Sequence, residues 1–227
     1  MRRFAFLLCS AALFCAYLPV AFAQMGTDLF RRPAIAKVFN PVIGKGAEYE
    51  NSQKGDKTTI TQMGVVGRES VEGKDGYWIQ FIMNTEKGVM IAKVLFTKDD
   101  FEFHRSIMQM PGQPAMELPY NGAMRDTKMR ERLNEWHSVG TETITVPAGT
   151  FSCEHWRNDK DNSDIWTSDK VAPYGMVKEQ RSGSGMVLTK ILSDFPDRIT
   201  GPVKKFDMQE MMQQMKERQQ DRGQRNP

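Results

Sequence analysis

Cysteine and histidine are scarce in this chain. Its 227 residues include three of each. Two of the cysteines, Cys9 and Cys15, lie in an N-terminal apolar run, which leaves Cys153 alone in the rest of the sequence. One cysteine makes no internal disulfide, so the fold must rest on its hydrophobic core. No H-x-x-x-H or C-x-x-C spacing occurs, which argues against a structural zinc site. Charge of one sign is also missing: 31 basic residues stand against 28 acidic ones, too even a balance for a nucleic-acid protein. Phosphate-binding loops, dinucleotide fingerprints and a G-x-S-x-G elbow are absent. Beyond the first two dozen residues, no stretch approaches the ~18 apolar residues of a membrane span.

The N-terminal run has a pattern of its own. Met1-Arg2-Arg3 is a short basic region, Phe4 to Val20 is apolar with a break at Pro19, and Ala21-Phe22-Ala23 precedes Gln24. Small residues three and one positions before a cut suit a signal peptidase, so cleavage after Ala23 is expected. A lipobox is not predicted, because Leu8 precedes Cys9 and Phe14 precedes Cys15. Losing Arg2 and Arg3 lowers the net charge from +3 to +1. The expected location is the periplasm or the medium, with peripheral envelope association open and no transmembrane segment after cleavage.

The remainder divides by texture. Residues 24–45 are a lead-in, with a short helix predicted through Phe30 to Phe39, capped by Thr27-Asp28 and limited in length by Pro33 and Pro41. Residues 46–200 carry short runs of β-branched and aromatic residues separated by turn residues, the mark of antiparallel strands. Ten are predicted: 46–51, 58–67, 76–85, 89–97, 101–110, 142–146, 150–157, 164–168, 175–181 and 186–193. Residues 111–122, with three prolines and two glycines, read as a loop, and 127–136 as a short helix with Met129, Leu133 and Trp136 on one face. Residues 201–227 read as a Met- and Gln-rich helix and tail, helical over 204–222. The fold class is mainly β (α+β), a curved antiparallel sheet or half-barrel of about ten strands with few helices.

Two stretches carry a family resemblance. One is Val66-Gly67-Arg68-Glu69-Ser70 through Gly76-Tyr77-Trp78. The other runs from Val146-Pro147-Ala148-Gly149-Thr150-Phe151-Ser152-Cys153 through Trp166-Thr167-Ser168 to Pro173-Tyr174-Gly175-Met176-Val177-Lys178. The order resembles exported bacterial domains of the DUF4412 and DUF3108 type, whose fold is similar to the lipoprotein and lipid carriers LolA and LppX. The resemblance covers about residues 45–195 and implies a curved sheet around an apolar cavity.

Candidate chemistry is thin. Phe151, Cys153 and His155 share one face of a strand, but i, i+2 positions stand about 7 Å apart, long for a Cys–His pair. A structural buried cysteine is the ordinary reading. Asp159–Ser163 begins like a calcium loop, yet Asp164 stands where glycine is required and Lys170 where the bidentate Glu belongs, so a solvated hairpin turn is predicted. Glu69, Glu72 and Asp75 fall at a turn without an acid–base partner. No enzyme and no cofactor are expected.

Trp78, Phe81, Trp156 and Trp166 remain as candidate ligand contacts, because the concave face of a half-barrel is both core and cavity wall. The first functional expectation is therefore an exported protein that holds a lipid, an acyl chain or a lipoprotein. A second is a soft-metal, Cu(I)-binding protein using Met208, Met211, Met212 and Met215, spaced as one helix face. A third is a structural envelope component without a ligand.

Overall fold

The computed structural model describes residues 32–118 and 135–205. The signal segment, most of the 127–136 helix and the Met-rich 206–227 tail lie outside the described residues. Within them the chain forms one open, curved sheet of twelve strands and one short helix, α1 (Pro33–Val38). The strands are β1 (Gly46–Gln53), β2 (Thr59–Val71), β3 (Lys74–Thr85), β4 (Gly88–Thr97), β5 (Phe103–Gln109) and β6 (Met116–Leu118). They continue with β7 (Trp136–Val146), β8 (Gly149–Asn158), β9 (Ser163–Thr167), β10 (Met176–Arg181), β11 (Ser184–Leu192) and β12 (Lys204–Lys205). Their order is β12-β6-β5-β4-β3-β2-β1-β11-β10-β9-β8-β7, antiparallel except for the β12–β6 pair.

All ten predicted strands are present. Three expectations are corrected. The Pro-rich segment contains β6, because Ser106, Ile107 and Met108 pair with Leu118, Glu117 and Met116 and supply the partner that proline removes elsewhere. Trp136 opens β7 rather than closing a helix, and it pairs with Asn158 of β8. Lys204 and Lys205 form β12 beside Met116 and Glu117 instead of starting a helix. Within the described part of the lead-in, the helix is confined to Pro33–Val38.

Local chemistry sets the turns. Glu72 and Gly73 both take positive φ (52° and 81°), the conformation of a tight hairpin between β2 and β3. Asn158 Oδ1 accepts the amides of Lys160 and Asp161, closing the β8–β9 turn that a calcium-loop reading would have claimed.

The sheet is rolled. β3 and β10 are four strands apart in the order, about 19 Å on a flat sheet. Nevertheless the rings of Phe81, on β3, and Tyr174, just before β10, stack at 6.4 Å. Phe39, which follows α1, packs on Phe96 at 5.7 Å and on Tyr174 at 6.0 Å. Register shifts in the β1–β11, β2–β3, β4–β5, β9–β10 and β7–β8 ladders supply bends.

The concave face therefore carries the main core: Ala47, Tyr49, Met63, Val65, Ile79, Phe81, Val94, Ile165 and Leu188 with Ala34, Ile35 and Phe39 above them. Arg32 ties the start of α1 to the sheet through Glu179 at 2.9 Å, and Arg181 flanks the same carboxylate at 2.6 Å.

The convex face is crossed by the chain after β11. Phe195 lies against Gly46 and Gly64; a Cβ on Gly64 would collide with its ring at 2.4 Å, and one on Gly46 would come within 3.2 Å of it. Gln80 Nε2 donates to Pro196 O at 3.0 Å, and its Oε1 accepts the Arg198 amide at 2.9 Å. Lys93 pairs with Asp197 at 2.5 Å. Ile199 joins Trp78, Leu95, Ile107 and Ala115 in a second, smaller core.

Candidate functional site

Strand parity decides which side chains can meet. Trp78 and Phe81 are three residues apart on β3 and so point to opposite faces. Across β9, Trp156 opposes Ile165 and His155 opposes Trp166, which separates the two tryptophans in the same way. The four aromatic candidates thus divide into Phe81 and Trp156 on the concave face and Trp78 and Trp166 on the convex one.

The two convex tryptophans are held by polar partners. Trp78 Nε1 donates to Glu69 at 3.0 Å, and its ring carries Arg105 at 5.2 Å and Lys93 at 5.3 Å. Arg105 in turn bonds Glu117 at 2.8 Å. Trp166 Nε1 donates to Glu142 at 2.7 Å, its ring stacks on His155 at 4.5 Å, and Lys178 stands 4.8 Å from it. His155 reaches Glu142 through Nδ1 at 2.7 Å and Asp164 through Nε2 at 2.8 Å. Both ring nitrogens are therefore engaged by carboxylates.

Cys153 is fully buried, with its Sγ 3.7 Å from the Phe151 carbonyl. Burial, reinforced by the nearby Glu142 charge, pushes its thiol up to about 11, so it stays protonated at neutral pH. Iodoacetamide at pH 8 is expected to label Cys153 only after the protein is unfolded. Rapid labelling of native protein, read by intact mass, would show instead an accessible, activated thiol.

The concave face has three zones. Its middle, where a carrier-like cavity was expected, is occupied among the described residues by α1, Phe39 and Tyr174 packed on Phe81 and Phe96. Residues 46–118 alone do not show this, because the filling comes from the lead-in and from the loop before β10. At the β8–β9 end the surroundings are polar. Lys37 lies 5.9 Å from the Trp156 ring and bonds Glu154 at 2.7 Å. Among the described residues, Trp156 Nε1, Thr167 Oγ1 and Ser168 Oγ are buried without a hydrogen-bond partner.

The β3–β6 end is different. One row runs Met63, Phe81, Ala92, Met108, Met116 across β2 to β6, and the adjacent row places Met83 opposite Met90. Met90 and Met108 are 5% and 7% exposed, whereas Met83 and Met116 are half-buried. This surface holds flexible thioether side chains around Phe81, and its first row ends on Lys204 of β12, which pairs with Met116. Reading the sequence for aromatic residues alone missed it; the signal available was the spacing of Met83 and Met90 about the β3–β4 turn.

No family model matches the chain, and no curated protein matches it. Solved structures do. A predicted lipoprotein from Parabacteroides distasonis is 14% identical, with a TM-score of 0.37 over 68% of this chain and 97% of that one. A predicted exported protein with a YmcC-like fold from Bacteroides fragilis is 15% identical, with a TM-score of 0.36 over 68% of this chain and 98% of that one. A DUF1329 family protein from Desulfovibrio piger is 10% identical, with a TM-score of 0.32 over 66% of this chain and 84% of that one. Among the described residues no helix is long and apolar enough to cross a membrane.

Proposed function

We propose that this is an exported, non-enzymatic binding protein whose concave face, at the β3–β6 end, holds the hydrocarbon of a lipid or lipidated partner. Export rests on the basic start, the apolar run and Ala21-Phe22-Ala23. The observation that supports the binding reading is the apolar row from Met63 through Phe81 to Met116, which continues past the aromatic filling as far as β6, where Lys204 of β12 flanks it. Methionine suits such a surface because its unbranched stem adapts to irregular chains. Each buried methylene contributes about 0.8 kcal/mol, so a modest length of acyl chain offsets the cost of association. Phe81, covered by Tyr174, closes the inner end of this row. Trp156 stands at the polar end, and Trp78 and Trp166 on the convex face take no part in it. A catalytic role has no support from Cys153 or His155, whose contacts are structural.

The test is native mass spectrometry of mature protein purified from the bacterial envelope without detergent, followed by organic extraction. A stoichiometric lipid adduct that extraction removes is expected. A mass equal to that of the bare chain in every preparation would overturn the reading.

A further inference from the structure

The two ends of the sheet are finished differently. At one end stand β6, three residues long, and β12, two residues long. Pro111 and Pro114 precede β6, and β12 is Lys204-Lys205. Short strands, proline and lysine all keep an edge from pairing with another chain. β7, at the other end, lacks all three. It runs for 11 residues, and β8 is its one strand neighbour among the described residues. Residues 139–146 contain no proline, lysine or arginine. Val139, Thr141, Thr143, Ile144, Thr145 and Val146 are β-branched, which suits a strand flanked on both sides more than a guarded edge. Among the described residues, no backbone hydrogen bond leaves 140–146 except within the β7–β8 ladder.

The bounds of this edge select its partner. Ser138 opposes Trp156 and Gly140 opposes His155, so Val139 is a bulge that ends the regular run on one side. Pro147, in the turn to β8, ends it on the other. Between them, residues 140–146 keep unbroken register with β8, and Thr143 is their midpoint. Opposed residues of antiparallel strands share a face, so a two-fold axis relating two copies of β7 must pass at a residue, not between two. At Thr143 it pairs the whole run with itself: Thr141 meets Thr145, Glu142 meets Ile144, and Gly140 meets Val146. At Glu142 it would oppose like charges, and at Ile144 the pairing would run into Pro147. Threonines opposed across strands are favourable neighbours, and Thr145 and Thr150 already make that contact at 3.1 Å. Glu142, the one charge in the run, is engaged within its own chain by Trp166 and His155. The run is thus complementary to itself in length, face and charge. We infer that two copies of this chain pair antiparallel through β7, about a two-fold axis at Thr143, and carry the sheet from one copy into the other. The inference does not rest on the hydrocarbon reading.

Sedimentation of the full mature chain over a concentration series is expected to reach twice the chain mass. Thr143 is exposed, so replacing it should leave the fold intact. Thr143→Lys or Thr143→Glu alone sets like charges against each other across the axis and should weaken the dimer at least tenfold. An equimolar mixture of the two variants should restore it. The register is read by oxidative crosslinking, from which the native Cys153 is kept by its burial. Thr143→Cys chains should crosslink to one another. Thr141→Cys chains should crosslink to Thr145→Cys chains, and neither to itself. A wild-type chain that stays monomeric into the millimolar range, as an edge kept for a different protein would, overturns the inference. A dimer undiminished by Thr143→Lys and by Thr143→Glu overturns it as well, and so does self-crosslinking of Thr141→Cys in place of Thr143→Cys.

Discussion

Replacing Gly175 by alanine is expected to lower stability by about 3 kcal/mol, and the melting temperature by roughly 2–4 °C for each kcal/mol. Two costs combine at this position. Gly175 has φ +67°, a conformation that costs an L-residue about 1–2 kcal/mol. A Cβ there would also sit 2.2 Å from Val38 Cγ2 and 3.0 Å from the Ser168 carbonyl oxygen, overpacking of a kind that costs about 1–3 kcal/mol. Neither neighbour can yield cheaply. Val38 ends α1, and the turn is tied by Ser168 N to Gly175 O at 2.7 Å and by Gly175 N to Val171 O at 2.6 Å. Gly55→Ala is the control, since Gly55 has φ +87° but nothing within 4 Å of its absent Cβ, so only the backbone cost applies. Adding Val38→Ala to Gly175→Ala should recover part of the loss by removing the colliding methyl. Denaturant melts in which the Gly55 and Gly175 variants lose the same amount would show that α1 is not seated on this glycine.

Phe195→Ala is the second large effect, an expected loss of about 3 kcal/mol. The ring is 4% exposed although it belongs to no strand, and it is held where two facing strands both lack a side chain. Gly64→Ala would put a Cβ 2.4 Å from Phe195 Cδ1 and is expected to cost about 2–3 kcal/mol in the wild-type chain. In the Phe195→Ala background the same change should cost at least ~1 kcal/mol less, because the ring it strikes is gone. Some cost persists, since the Lys45 carbonyl oxygen also lies 2.9 Å from that Cβ. A double-mutant cycle that closes additively, within about 0.5 kcal/mol, would mean that the ring does not sit in the notch.

Much of the sheet was readable before any coordinates, because alternation and turn residues are local signals. Thr150–Arg157 alternates after the turn Pro147-Ala148-Gly149, and Val89–Thr97 is a short apolar run ended by Lys98-Asp99-Asp100. The face shared by Phe151, Cys153 and His155 follows from the same parity. So did the separation of Trp78 from Phe81, had parity been applied to the aromatic candidates as it was to the cysteine. What the sequence hid was non-local. β6 lies in a proline-rich stretch and exists because β5 offers it an edge. The roll of the sheet brings Phe39 and Tyr174, 135 positions apart, into one aromatic cluster that no pattern in the lead-in announces. The contacts of Phe195 belong to an irregular segment, where periodicity says nothing. At the candidate site, Met83 and Met90 could be paired by counting outward from Glu86-Lys87, whereas Met108 and Met116 needed the register of β5 and β6.

The segment after β11 has a mechanical meaning. It meets the strands crosswise and in succession, with Phe195 on β1 and β2, Gln80 of β3 at Pro196 and Arg198, Lys93 of β4 at Asp197, and finally β12 against β6. A load applied through the C-terminal end would reach these attachments one at a time, as in a zip, beginning with the two-residue β12. The long β1–β11 ladder that joins the two halves of the sheet would feel the pull only after the ring of Phe195 had left its notch.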